Sequence, residues 1–251
     1  MNPVFRSPVI FEGFSRLLAV ETTRHGGVST APYDSLNLGI NTNDLPQNVA
    51  ENYQLLFEKL GIEQAQVATA LQVHGEAILV ATQGGRFEGY DAIISNTPNV
   101  FVGITVADCT PVLVYDAQNQ AVAAIHAGWR GTVAQLVHKT LLAMQAHFGT
   151  QPQHCHAYVG TCIDACDFEV GAEVAEQFSP DFKTFNPAQQ RYYVNLKAAN
   201  TAQLRAFGIP KNQIEISEFS TTQHNQNYFS YRHENGQTGR MLALLGQQLA
   251  N

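Results

Sequence analysis

The sequence predicts an α+β fold, a single domain over residues 1–251 with mixed β-sheets flanked by helices. Three observations predict it. Three stretches carry apolar residues at helical spacing and end at glycine, and seven short runs are rich in β-branched residues. Four of those runs follow one another with no room for a helix between them, which rules out alternating β-α units.

The first helix is expected over residues 48–60, where Val49, Tyr53, Leu56, Phe57 and Leu60 share a face and Gly61 stands ready as a left-handed C-cap. Strands are expected at 67–73, 77–81, 92–95, 100–106, 112–115 and 121–126. The turns Thr97-Pro98-Asn99 and Ala117-Gln118-Asn119-Gln120 are tight, so the last four of these strands are expected to pair as a meander. A second helix is expected over 132–148, on Val133, Leu136, Val137, Leu141, Met144 and Phe148, with Gly149 as its stop. The third is expected over 196–207, capped by Asn195 and stopped by Gly208 with Pro210 beyond, before a strand at 213–217.

Of the 251 residues, 45% are hydrophobic and 14% charged, which supports a buried core and excludes a disordered tail, a coiled coil or a collagen-like rod. A formal net charge of −7 repels polyanions, so no nucleic-acid partner is expected. The first 21 residues include Arg6, Glu12 and Arg16, and nowhere do 18 apolar residues run together. No membrane association and a cytoplasmic location follow as expectations, with a monomer or small homo-oligomer as the state. Cys109, Cys155, Cys162 and Cys166 are too few for a disulfide scaffold and read as free thiols or ligands.

Chemistry needs side chains that converge, and strand ends beside turns deliver them. His74 closes the expected strand at 67–73, Cys109 follows 100–106 in Ala107-Asp108-Cys109-Thr110-Pro111, where the proline is expected to end ladder pairing, and His126 closes 121–126. Two imidazoles and a thiolate suit Zn²⁺ and leave a fourth position open. The spacing matches no compact zinc-finger pattern. On residues alone an alternative stands beside this one: both histidines hydrogen-bond at strand ends and Cys109 is a small buried hydrophobe.

Leu71-Gln72-Val73-His74-Gly75, Ala107-Asp108-Cys109-Thr110-Pro111-Val112-Leu113 and His126-Ala127-Gly128-Trp129-Arg130-Gly131-Thr132 resemble the three signature segments of the YfiH-like family, once labelled polyphenol oxidoreductases or laccases. Thr23-Arg24-His25-Gly26-Gly27-Val28-Ser29 with Pro32-Tyr33-Asp34-Ser35-Leu36-Asn37-Leu38-Gly39 resembles its N-terminal block. Phe229-Ser230-Tyr231-Arg232 with Thr238-Gly239-Arg240-Met241 resembles its C-terminal block. The resemblance implies a fold similar to that of cytotoxic necrotizing factor toxins. It implies a catalytic zinc on His74, Cys109 and His126, with copper able to take the same ligands in vitro. It also implies phosphorolysis of adenosine, inosine and methylthioadenosine, and deamination of adenosine, so purine nucleosides and phosphate are the expected partners. Ser220-Thr221 stands where the family carries a Cys-Thr pair, so that thiol has no role here.

Phosphate needs positive charge and backbone N–H groups. Arg24 beside Gly26-Gly27 and Arg130 between Gly128 and Gly131 are the expected binders, with Asn37 of the N-terminal block grouped with them at the substrate. Asp108, next to Cys109, is the candidate for proton transfer, against the reading that it caps a turn. Cys109 is read as a ligand rather than a Cys-His nucleophile because His74 has no task in a simple dyad. Editing of peptidoglycan precursors and copper-dependent polyphenol oxidation are the rival activities.

Three other patterns are discounted. His74-Gly75-Glu76 lacks the Pro-Cys-x-x-Cys half of the zinc nucleobase deaminases, so Glu76 is read as an exposed strand residue. His154-Cys155-His156 is read as a strand with the cysteine inward and both histidines outward. Cys162 and Cys166 are read as buried structural cysteines.

Overall fold

The computed structural model describes residues 2–249. In chain order its strands are β1 (Phe5–Arg6), β2 (Leu17–Thr22), β3 (Val67–Leu71), β4 (Ile78–Val80), β5 (Gly85–Glu88), β6 (Ala92–Ser95), β7 (Phe101–Val106), β8 (Thr110–Asp116), β9 (Ala121–Ala127), β10 (Cys155–Val159), β11 (Glu169–Val170), β12 (Lys183–Asn186), β13 (Arg191–Val194), β14 (Ile214–Ile216) and β15 (Met241–Gln247). The helices are α1 (Pro46–Leu60), α2 (Trp129–Val133), α3 (Leu136–Phe148), α4 (Ala172–Ala175) and α5 (Leu196–Phe207). No helix among the described residues is long and apolar enough to cross a membrane.

Two mixed six-stranded sheets carry the fold, in the orders β1-β2-β15-β7-β3-β5 and β14-β10-β8-β9-β6-β4; a small sheet β11-β13-β12 stands beside them. The period-2 alternation of a strand explains the layering. Along β15, Ala243 and Leu245 join Val102 and Ile104 of the first sheet and Leu113 and Ala124 of the second in one core, so the sheets face each other. Leu242 and Leu244 point the other way, onto Leu56, Phe57 and Leu60 of α1. On the far face of the second sheet, Val112, Val114, Ala123 and Ile125 meet Leu136, Val137, Leu141 and Met144 of α3. The order is therefore helix, sheet, sheet, helix. Buried Glu21 of β2 spans the two sheets, its carboxylate accepting from Tyr158 Oη (2.8 Å) and from the Thr161 amide (2.7 Å).

The expected meander does not form. Of its four strands only β8 and β9 are neighbours joined by the turn between them; β6 pairs β9 and β4, whereas β7 lies in the other sheet between β15 and β3. The turns are as short as expected, but two of them step between layers. Strands buried on both faces show no alternation to reveal which sheet they join. Pro111 also departs from expectation: it sits inside β8 opposite His126, has no N–H to give, and its carbonyl accepts from Gly160 N at 2.8 Å.

The helix expected over 132–148 is broken at Gln135, which takes φ 61°. Trp129 and Val133 pack on Leu196 and Ala199, while Leu136 and Leu141 pack on the second sheet, so one straight helix cannot serve both clusters. The helix over 196–207 has the expected bounds, with Asn195 Oδ1 accepting from Ala198 N and Gly208 left-handed. Glu76 precedes β4 instead of lying on it, exposed and paired with Lys139. Cys155 is buried inward as expected, and Cys162 is buried, but Cys166 is exposed on its loop.

Candidate functional site

Three chain segments meet at one end of the facing sheets. His74 follows β3 of the first sheet in a left-handed conformation, φ 56°. Cys109 lies on the connection that carries the chain from β7 in one sheet to β8 in the other. His126 is the penultimate residue of β9 in the second sheet. One ligand atom from each lies within 4.8 Å of the others, and among the described residues this is the one group of three or more such side chains that can hold a metal ion. The two imidazole rings are 4.8 Å apart between centroids.

Asp91, fully buried just before β6, organises the ligands. Its Oδ1 lies 2.8 Å from His126 Nδ1 and accepts from His74 N at 3.0 Å; its Oδ2 accepts from Gly75 N at 2.7 Å and Val73 N at 3.2 Å. One carboxylate thus holds a ligand ring and the turn bearing a second ligand. With Nδ1 of His126 engaged, Nε2 is left for an ion, the usual carboxylate–histidine–metal arrangement. Sequence reasoning passed over Asp91; an acid at the head of the apolar run Ala92-Ile93-Ile94 was the available signal.

Burial alone would push the Cys109 thiol up, but the charge and N–H of His126, with hydrogen bonding from His74, outweigh it and bring the thiol down to about 6. Burial would lower His126, and the Cys109 thiolate and Asp91 carboxylate instead raise it to about 9. The two shifts describe one thiolate–imidazolium pair. In metal-free protein, iodoacetamide alkylation of Cys109 should therefore climb through pH ~6 and level off by neutrality, because the thiolate is already formed above that pH. Cys155 and Cys162, pushed up to about 12 by burial, stay silent. Peptide mapping of the label assigns the rate, and an inflection above pH ~8, where an ordinary thiol ionises, contradicts the pairing.

Gly128 lets the ligands close in. A Cβ there would stand 2.9 Å from Cys109 Sγ and 3.2 Å from His74 Nδ1. Its backbone, φ −68° and ψ 175°, suits any residue, so the demand is space alone. Gly128→Ala should fold normally and bind metal at least about tenfold more weakly, since displaced ligands cost affinity on the scale seen for disturbed ligand supports. Metal titration of the purified variant measures this; wild-type affinity would contradict it.

His74, Cys109 and His126 open onto a cavity of about 480 Å³ lined also by Gln72, Asp108, Phe168, Tyr231, Arg232 and Arg240. Asp108 is in the wall, but its oxygens are occupied: Oδ1 accepts from Thr221 Oγ1 (2.6 Å) and Ser230 Oγ (2.7 Å), and Oδ2 from Arg232 N (2.6 Å). It ties the loop bearing Tyr231 and Arg232 to the Cys109 segment. The other expected site residues lie outside the lining. Arg24 is buried, donating to Asp34 O (2.9 Å), Asn225 O (2.9 Å) and Glu234 Oε1 (3.0 Å) and stacked on Phe229. Asn37 is buried behind the wall, where Oδ1 accepts from Gly39 N and Arg240 N. Arg130 is exposed, with Cζ 4.3 Å from the centre of the Trp129 ring. The cations that do line the cavity, Arg232 and Arg240, come from the C-terminal block, whose motif carries no local mark of that role.

Comparison with known proteins identifies the family. Residues 18–248 match the profile of the family described as "Multi-copper polyphenol oxidoreductase laccase". A Bacteroides thetaiotaomicron protein named purine nucleoside phosphorylase is 37% identical over 92% of this chain and 91% of its own. A Deinococcus radiodurans protein of the same name is 38% identical over 90% of this chain and 87% of its own. The crystal structure of Bacillus licheniformis hypothetical protein YfiH superposes with a TM-score of 0.91 at 28% identity, covering 97% of this chain and 99% of that one. A matching profile over nearly the whole length, with relatives above 30% identity, places this chain in the YfiH family, the family whose profile carries the laccase description.

Proposed function

We propose that this protein is a zinc-dependent purine nucleoside phosphorylase acting on adenosine, inosine and S-methyl-5'-thioadenosine, and that it also deaminates adenosine to inosine. The observation that carries the reading is the convergence of His74, Cys109 and His126 at the wall of a cavity of about 480 Å³, within the ~300–1,000 Å³ typical of pockets for small organic ligands. The names of the relatives supply the substrate class. Among the described residues there is a single three-donor group, which favours mononuclear chemistry over the multi-copper chemistry of the family description.

The donor set fits zinc: two imidazole nitrogens and a thiolate brought down to about 6 form a borderline-soft site with a position to spare. When bound, the ion supplies Lewis acidity and acidifies water. The chain's own residues do the rest. Asp91 fixes the His126 ring, Gly128 leaves the approach open, and Phe168 and Tyr231 put aromatic side chains in the cavity wall near where the base would lie.

In phosphorolysis a phosphate oxygen bonds to C1′ of the ribose as the C1′–N9 bond breaks, and the proton of hydrogen phosphate ends on the departing purine. In deamination water adds at C6 and ammonia leaves. Chromatography after incubation with adenosine and phosphate separates adenine with ribose 1-phosphate from inosine. Formation of neither product from metal-replete protein overturns the reading.

A further inference from the structure

We propose that the guanidinium of Arg240 is the group that grips phosphate in this cavity, an inference that rests on the phosphorolysis reading above. Arg240 lines the cavity half-buried, and its backbone is clamped on both sides: its N–H donates to Asn37 Oδ1 (3.0 Å) and its carbonyl accepts from Leu38 N (3.0 Å). Its stem lies across Gly39, where a Cβ would stand 2.5 Å from Arg240 Cγ. Nη1 donates to the carbonyls of Thr238 (3.0 Å) and Gly239 (2.9 Å), which sets the plane of the head.

What the head lacks is a counter-charge. Among the described residues no carboxylate forms an ion pair with it, and Nε and Nη2 have no hydrogen-bond partner in the protein. Those two N–H groups are the side-on fork that matches two oxygens of a phosphate. The Cys109 thiolate, Tyr231, whose ring centre lies 5.5 Å from Cζ, and Asp108 act on the head without hydrogen-bonding to it, and the Asp108 oxygens are taken by Thr221, Ser230 and Arg232 N. Burial works against the charge, so an anion held there is favoured twice, by the fork and by the neutralisation.

The neighbouring arginines differ. Arg24 is spent on Glu234 and on backbone carbonyls, Arg130 lies outside the lining, and the two end nitrogens of Arg232 donate to Asp167 O and Glu169 O. The Asn37 of the N-terminal block thus serves the substrate indirectly, as a positioning residue for Arg240.

The test uses metal-replete wild type, Arg240→Met and Arg240→Lys, with phosphate and inosine varied independently and folding checked by circular dichroism. Arg240→Met should raise the KM for phosphate about 10- to 100-fold, the loss expected for one or two charge-assisted hydrogen bonds, and change the KM for inosine far less. Arg240→Lys should recover part of the loss as a point charge without the fork. An unchanged KM for phosphate, or an equal rise in both constants, overturns the assignment. A second measurement needs no turnover: inorganic phosphate should protect Arg240 from phenylglyoxal, read by peptide mapping. If the wild type performs no phosphorolysis, the functional reading falls by itself, and this protection still decides the subsite: protection at Arg240 upholds an anion site, and its absence overturns it. The same measurement decides if Arg240→Met fails to fold.

Discussion

Cys109→Ala should leave a folded protein with almost no metal and almost no turnover. The side chain supplies one of three protein donors, so its loss should weaken metal binding by orders of magnitude and remove the reaction with it. The fold has other support: the core between the sheets, the α1 layer and the α3 layer are continuous apolar clusters in which Cys109 is at most peripheral. Circular dichroism and thermal unfolding of the metal-free variant should therefore resemble those of metal-free wild type. Elemental analysis is the deciding measurement, with about one zinc per chain in the wild type and little in the variant. Full zinc in Cys109→Ala would sink the ligand assignment.

Asp91→Asn should do damage of a different kind, lowering metal affinity and stability together. A carboxylate accepts all four contacts at Asp91; an amide keeps one accepting oxygen and puts an NH2 group where the other stood, facing either the Val73 and Gly75 amides or the His74 amide and the His126 ring. His126 also loses one of the two partners that raise it, keeping the Cys109 thiolate. On the scale of broken buried ion pairs the cost is about 3 kcal/mol of stability, and loss of support for a ligand histidine costs about 10- to 100-fold in metal affinity. Chemical denaturation of the metal-free forms isolates the first effect and metal titration the second. A variant with wild-type stability and metal affinity would show that Asp91 merely fills space.

Much of this site is legible in the sequence because its chemistry uses rare residue types in ordered motifs. His74, Cys109 and His126 stand out from the amino-acid sequence alone, and the helix ending at Gly208 can be bounded there too, because glycine and asparagine signals are local. The pairing of strands is not legible, for a physical reason. Met241-Leu242-Ala243-Leu244-Leu245 is apolar on both faces and built from good helix formers, so it carries neither the alternation nor the β-branching of a strand, yet it is central in its sheet. The arginines mislead for another reason. Arg24 and Arg130 sit beside glycines as phosphate-binding arginines do, but Arg24 is spent on Glu234, far along the chain, and Arg130 stands on the surface outside the cavity lining.

The placement of the three ligands has a wider meaning. One hangs from the first sheet, one rides the crossover and one belongs to the second sheet, so the ion would act as a rivet through both layers. No short segment of the chain holds the site, since its three donors come from separate parts of the fold. Metal affinity then becomes a gauge of how firmly the two sheets keep their spacing. A substitution deep between them, at Leu113 or Ala124 and out of reach of any ligand, would register at the centre as a loosened grip.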